Sequence, residues 1–395
     1  MNRVAIANCP DYGGANVNST VSELMAQLGY DFADFIKPSM TVFIKPNWVA
    51  SRWRESCPHR DTLWSVITHT AVVEAVADRV AAALAGNGKI IIGDNPSIDA
   101  DFDELTRFTG IDRLPAKYDL PCELLDLRPL VCDDLENYGK KSKMAGRSGD
   151  PRGAVEINLG QESLFYNMDP SLFRGVFDER EETVAAHTGG RQLYTFSKSL
   201  YESDVYISVP KLKTHQKAGA TLNLKGLVGG VTEKNQLVHW RVGSPERGGD
   251  EYPDEATLAA AGSAKTTHRG AHPGNDTIWR MVVDLYNAMR KRERKYFSVV
   301  DGIIAGDGQG PFCPRAKRAN TLLAGGDLLA VDIVAARLMG IDPAKLRYLN
   351  WFLENGFARA KIEVPGYDDF FGSDSPYLDF SVPEAWREIK IRPGV

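Results

Sequence analysis

Val209 to Gly230, VPKLKTHQKAGATLNLKGLVGG, holds Lys211, Lys213, Lys217, Lys225 and His215, and no acidic residue intervenes between Asp204 and Glu233. Ammonium groups gathered beside an imidazole bind and polarise phosphate or carboxylate, and the imidazole can move a proton because it titrates near neutrality. The segment follows an apolar run, Asp204 to Val209, that reads as a strand. If extension continues past Pro210, Lys211, Lys213 and His215 share one parity and project together. Gly226, Gly229 and Gly230 let the backbone approach a ligand closely, and exposed amides there can hold an anion. These residues point to His215, Lys213 and Lys225 as the centre of any chemistry. His239, just beyond the segment, is the candidate acid/base partner or metal ligand.

Three carboxylates stand at or just past the carboxyl ends of apolar runs, where α/β folds gather their ligands: Asp94, Asp301 and Asp307. Asp94 is the alternative proton-transfer partner of His215. Lys45 and Asn47 flank Pro46 at the end of another run, and with Lys211, Asn223, Asp301 and Asp307 they make up the candidate substrate contacts. Other catalytic signatures are absent. The chain has no G-x-x-x-x-G-K-[ST] cradle, no G-x-G-x-x-G between strand and helix, no G-x-S-x-G elbow and no H-E-x-x-H. Gly306 to Gly310 lacks nucleotide-loop spacing and runs into Pro311. His268 and His272 are four apart, but Gly270 and Pro273 argue against a helical metal pair.

The elements that must carry these groups read as α/β. Short apolar runs at Asn2–Ala7, Thr41–Ile44, Lys89–Ile92, Phe297–Val300 and Thr321–Ala324 predict strands, and Asp301–Pro311 predicts a Gly-rich loop. Helices are predicted at Thr70–Ala85, capped by Thr70 and ended by Gly86 and Gly88, at Thr277–Arg290 and at Leu328–Met339. Strand, helix and strand from Thr41 to Ile92 make a βαβ-like unit with parallel pairing. The expectation is two α/β lobes with mainly parallel sheets, 1–290 and 291–395, with a long polar insertion around 243–275. The stretch from Asp126 to Lys198 gives no clear periodicity; its basic run Lys140–Arg147 and acidic run Asp178–Glu182 read as solvated faces.

Composition narrows the function classes. The chain has 395 residues, 43% hydrophobic and 25% charged, with 47 Lys+Arg against 52 Asp+Glu and a net charge of -5. That balance disfavours a global basic surface for nucleic acid or anionic membrane, so a cationic site has to be local. Trp48, Trp53, Tyr201 and Tyr206 could stack on bases but lie far from the lysines in sequence. No apolar stretch is long enough to span a bilayer and the first residues lack a secretory apolar core, which gives a cytoplasmic expectation. The five cysteines, Cys9, Cys57, Cys122, Cys132 and Cys313, are scattered without a C-x-x-C and are expected to be small buried side chains rather than a disulfide or metal framework.

Taken in order, Lys45-Pro46-Asn47, Thr68-His69-Thr70, Gly93-Asp94, VPKLKTH, LKGLVGG and VVDGIIAGDGQGP resemble the domain-of-unknown-function 362 family from about residue 40 to 345. The family carries no established activity, so the resemblance implies a shared scaffold and pocket. Many members have a cysteine-rich ferredoxin-like segment; these residues contain none, so a ferredoxin-type iron–sulfur cluster is not expected. Members often have Lys-Asn where this chain has Lys225-Gly226. Over about thirty residues, His215, Lys225 and His239 are also similar in order and spacing to the nickel-pincer lactate racemases. That similarity implies an acid/base His, a cofactor-anchoring Lys and a metal-ligating His, although Gly93-Asp94-Asn95 stands where those racemases have a second catalytic His.

The leading expectation is an enzyme acting on a small anionic metabolite, with isomerase- or racemase-like or metal-dependent oxidoreductase chemistry and a transition metal as a candidate cofactor. The alternative is a non-catalytic anion- or cofactor-binding protein of a biosynthetic pathway. A homo-oligomer is left open.

Overall fold

The computed structural model describes residues 2–261 and 268–391; residues 262–267 of the polar insertion lie outside the described residues. Ten strands form one sheet: β1 (Asn2–Asn8), β2 (Thr41–Pro46), β3 (Lys89–Asp94), β4 (Cys122–Asp126), β5 (Val205–Val209), β6 (Lys211–His215), β7 (Gly219–Ala220), β8 (Lys295–Gln309), β9 (Cys313–Gly325) and β10 (Ile362–Glu363). The order is β10-β1-β9-β8-β5-β2-β3-β4, with β6 pairing to β8 and β7 to β6. From β8 through β5, β2 and β3 to β4 all pairing is parallel, whereas β8–β9 and β9–β1 are antiparallel. The fold is α/β on a mixed, largely parallel sheet. Uninterrupted runs such as Val42-Phe43-Ile44 and Ile90-Ile91-Ile92 suit this centre because both faces are covered.

Alternation sorts those runs into two cores. Phe43, Ile91, Tyr206, Val300 and Leu323 face helices Ile278–Arg290, Leu328–Leu338 and Arg347–Glu354. Val42, Ile44, Ile90, Ile92, Ile207 and Val299 face helices Gly14–Leu28 and Thr70–Leu84. The second of these begins where expected but is capped by His69, whose Nδ1 accepts from the Ala71 N–H at 3.0 Å. The Thr70 hydroxyl instead donates to the Thr109 carbonyl.

Two expectations change. Asp301–Pro311 is not a loop for most of its length: β8 runs unbroken to Gln309 and forms a long hairpin with β9. Its glycines mark close packing. A Cβ on Gly306 would meet the Ser65 carbonyl at 2.4 Å, and one on Gly302 would meet Leu212 at 2.8 Å. The cysteines are not all unpaired, since Cys57 and Cys313 form a disulfide across 256 residues of sequence while Cys9, Cys122 and Cys132 are free. Spacing cannot reveal such a pair, because connectivity depends on which loops the fold brings together. The polar insertion also contributes to the interior, because Ser244 and Asp250 are fully buried within it. Asp250 accepts from the backbone N–H groups of Arg241 and Asp276, and Asn275 Oδ1 accepts from those of Thr277 and Ile278.

The boundary at residue 290 falls between neighbours of one sheet, since β5 pairs β2 on one side and β8 on the other. Among the described residues no helix is long and apolar enough to cross a membrane.

A cationic cavity at the carboxyl ends of the strands

The parallel strands β2 and β3, with β6 beside β8, end at one cavity of about 360 Å³. Its lining contains Lys45, Asn47, Asp94, Lys213, His215, Lys225 and His239, so seven of the eleven candidate residues converge. The other four do not. Lys211 is fully buried against Asp301, with Nζ 2.7 Å from the carboxylate and 2.9 Å from the Tyr12 hydroxyl. Asp301 also accepts from the Tyr12 hydroxyl and the His69 N–H, so both residues are committed to joining β6, β8 and the Thr70 helix. Asn223 donates to Asp332 and accepts from Ser298. Asp307 lies on the β8–β9 hairpin beside Arg315. Lys211 does share parity with Lys213, but it lies two residues farther from the end of β6, opposite Asp301, whose carboxylate takes it up.

Asp94 closes the floor of the cavity. It accepts from Lys45 Nζ at 2.6 Å, the Trp48 N–H at 2.7 Å and the Asn95 N–H at 2.8 Å. Three donors thus engage both of its oxygens. Gly229 is needed here, since a Cβ would fall 2.3 Å from Asp94 Oδ1 and 2.7 Å from Lys45 Nζ. The glycines of LVGG therefore serve this ion pair at least as much as any ligand.

Lysines dominate the rest. Besides the expected residues, Arg54, Lys217, Lys234 and Arg269 line the cavity, against Asp94 as the single carboxylate of the lining among the described residues. Lys217 had been visible in the basic segment; Lys234, Arg54 and Arg269 carried no such signal, being isolated in sequence. Salt bridges in this region join Lys45 to Asp94, Arg54 to Asp99 and Lys211 to Asp301. Lys213, Lys217, Lys225 and Lys234 have no carboxylate partner among the described residues. Lys213 donates to the carbonyls of Val66 and Pro311, Lys234 to that of Val228, and Lys217 lies 4.9 Å from the Trp240 ring centroid. Burial, reinforced by neighbouring cations, pushes Lys213 well below the usual lysine range. The same causes bring Lys217 to about 7, Lys225 to about 8 and Lys234 to about 7.

Of the three imidazoles that line the cavity, those of His215 and His239 differ in tautomer. His215 Nδ1 accepts from the Lys217 N–H at 3.0 Å, so its hydrogen sits on Nε2. His239 Nδ1 must donate to the Leu237 carbonyl at 2.9 Å, which leaves Nε2 with a free lone pair. Burial and the surrounding lysines hold both rings well below the usual histidine range, hence neutral. The cavity therefore contains one imidazole that offers a hydrogen and one that accepts it. His239 Nε2 has the chemistry of a metal ligand, but among the described residues no three His, Cys, Asp or Glu side chains converge. The donor set does not fit a transition metal held by protein alone.

At the rim, the Arg54 guanidinium lies 3.4 Å from the Phe312 ring centroid, and each residue is near a half of the Cys57–Cys313 bridge. His268 and Arg269 bring the polar insertion to the opposite wall.

The amines titrate where binding can be followed. An anion favours the ammonium form and so raises the depressed values, which means that binding takes up protons. Affinity for sulfate, which does not itself titrate there, is expected to fall as pH rises through about 7 to 8, by up to about tenfold per pH unit for each proton taken up. Calorimetry in two buffers of different ionisation enthalpy measures that uptake; a pH-independent affinity would contradict it.

Fold and cavity together define an α/β protein with a lysine-rich cavity at the carboxyl ends of its parallel strands. Residues 131–337, just over half of the chain, match the model of a domain of unknown function, DUF362, and the chain belongs to that family. It is also 23% identical over 345 residues, covering 87% of this chain and 76% of the relative, to a thylakoid-associated protein of Synechocystis sp..

Proposed function

We propose that the chain is an enzyme that binds a small phosphate- or carboxylate-bearing metabolite and moves a proton on it. One observation supports this above the rest: four lysines without carboxylate partners surround two neutral imidazoles of opposite tautomer. In this reading the lysines hold the anionic substrate. His239 Nε2 accepts a proton from it, and His215 Nε2–H donates a hydrogen bond where negative charge develops. Lys213 and Lys225 stabilise the same charge. His215, expected from the sequence to move a proton, is in this reading the hydrogen-bond donor because its Nδ1 already accepts an amide hydrogen. Asp94 is set aside as partner because three donors occupy it. This donor set supports isomerase- or racemase-like proton transfer over metal-dependent redox chemistry.

Ligands found by thermal shift among phosphorylated and carboxylated metabolites provide the test. Incubation in D2O is expected to place deuterium on the bound ligand, read by NMR, and His239→Gln to abolish that exchange while binding persists. Binding without exchange in the unmodified protein would identify an anion carrier and overturn the catalytic reading. A cytoplasmic location remains a proposal, and the Cys57–Cys313 bridge weighs against it, since such bonds persist mainly where thiols are oxidised.

A further inference from the structure

Leaving several ammonium groups in a cavity without a bonded carboxylate is costly unless they shed protons or gain an anion. Lys213, Lys217, Lys225 and Lys234 are in that position, and one monoanion could neutralise only one of them. They also approach from different elements: Lys213 from β6, Lys217 from the turn after it, Lys225 from the helix Leu222–Gly226, and Lys234 from the turn Lys234–Gln236.

The cavity has two poles. At one, Lys217 lies over Trp240, Arg269 is 5.7 Å from the same ring, and His239 is adjacent. At the other, Lys45, Asp94, Gly229 and Lys234 cluster where Lys234 meets the Val228 carbonyl. Lys225 belongs to both, because its charge acts on Lys213, His215, Lys217, Lys234 and His239. Three polar atoms of lining residues are buried without partners: an oxyanion can accept from two of them, Trp240 Nε1 and Thr221 Oγ1, while the third, Asn95 Oδ1, is itself an acceptor.

We propose that the natural ligand carries two separated anionic groups, one seated by Lys217 and Trp240 and the other by Lys45 and Lys234, with Lys225 between them. The class is a short phosphorylated carboxylic acid or a bisphosphorylated metabolite. This rests on the anion-site reading above and sharpens it.

Calorimetric titration at matched ionic strength with acetate, inorganic phosphate and phosphoglycolate separates the two. Phosphoglycolate, which joins both groups on one carbon, is expected to bind about tenfold or more tightly than phosphate, because the second group is already tethered at its pole. Lys217→Met and Lys234→Met, made separately, are each expected to erase that margin while phosphate still binds. Equal affinity for phosphate and phosphoglycolate, or a margin that survives both substitutions, overturns the two-pole arrangement and leaves the anion site standing. No binding of any of the three overturns the anion-site reading itself.

Discussion

Replacing Lys225 by Met is expected to move stability and binding in opposite directions. In the ligand-free protein Lys225 has no carboxylate partner, and burial together with Lys45 brings its pKa down to about 8. A lysine depressed in this way weakens the fold below the folded value, and the penalty lifts as pH rises from there toward the unfolded value. A methionine of similar length removes the charge and keeps the packing. At pH 7 the unfolding free energy should therefore rise by about 1 kcal/mol, toward the low end of what such replacements give because Lys225 is only half-buried. Sulfate and phosphoglycolate affinity should fall by about tenfold to a hundredfold, the loss of a charge-assisted contact at the centre of the cavity. Thermal unfolding and titration on the same preparation read both. Unchanged affinity would remove Lys225 from the site, and lower stability would show that its ammonium is better satisfied than the structure indicates.

Breaking the Cys57–Cys313 bridge is expected to have the larger effect on stability. The bond closes a loop of 256 residues, and loss of a disulfide of this kind costs about 2–5 kcal/mol, most of it through a less constrained unfolded chain. The damage should also reach the cavity. Pro311 and Phe312 precede Cys313 and line the site, the Pro311 carbonyl accepts from Lys213, and Arg54 lies over Phe312 three residues before Cys57. Cys57→Ser with Cys313→Ser, or a dithiol reductant, should lower the unfolding midpoint and weaken anion binding together. Thiol titration of the denatured protein should give three reactive groups before reduction and five after. Five before reduction would mean the bridge is absent.

What the sequence made legible was local. The runs that became β2, β3 and β5 are β-branched and bounded by Pro or Gly, and the helix Thr70–Leu84 has strong periodicity, so their types could be read directly. The lysine segment was legible for the same reason, since its residues are close in sequence. Lys234, Arg54 and Arg269 were not, because each reaches the cavity from a separate loop. Glycine misled in one place: Gly302 and Gly306 read as a loop, but they permit β8 to pass beneath Leu212 and Ser65. Alternation misled in another, where Lys211 shares parity with Lys213 and yet belongs to Asp301. A charged pair that fastens two strands and a charged residue that meets a ligand look alike until the partner is known.

The pairing of β1 with β9 has a consequence for how the molecule is made. Val4 to Asn8 lie against Thr321 to Gly325, and β5 completes its hydrogen bonding only when β8 arrives beside it. A nascent chain emerging from the ribosome must therefore wait for more than three hundred residues before its first strand finds its neighbour. Contacts so distant along the chain slow folding and leave strand edges exposed meanwhile. Synthesis of this polypeptide thus passes through a long interval in which chaperone binding competes with self-association.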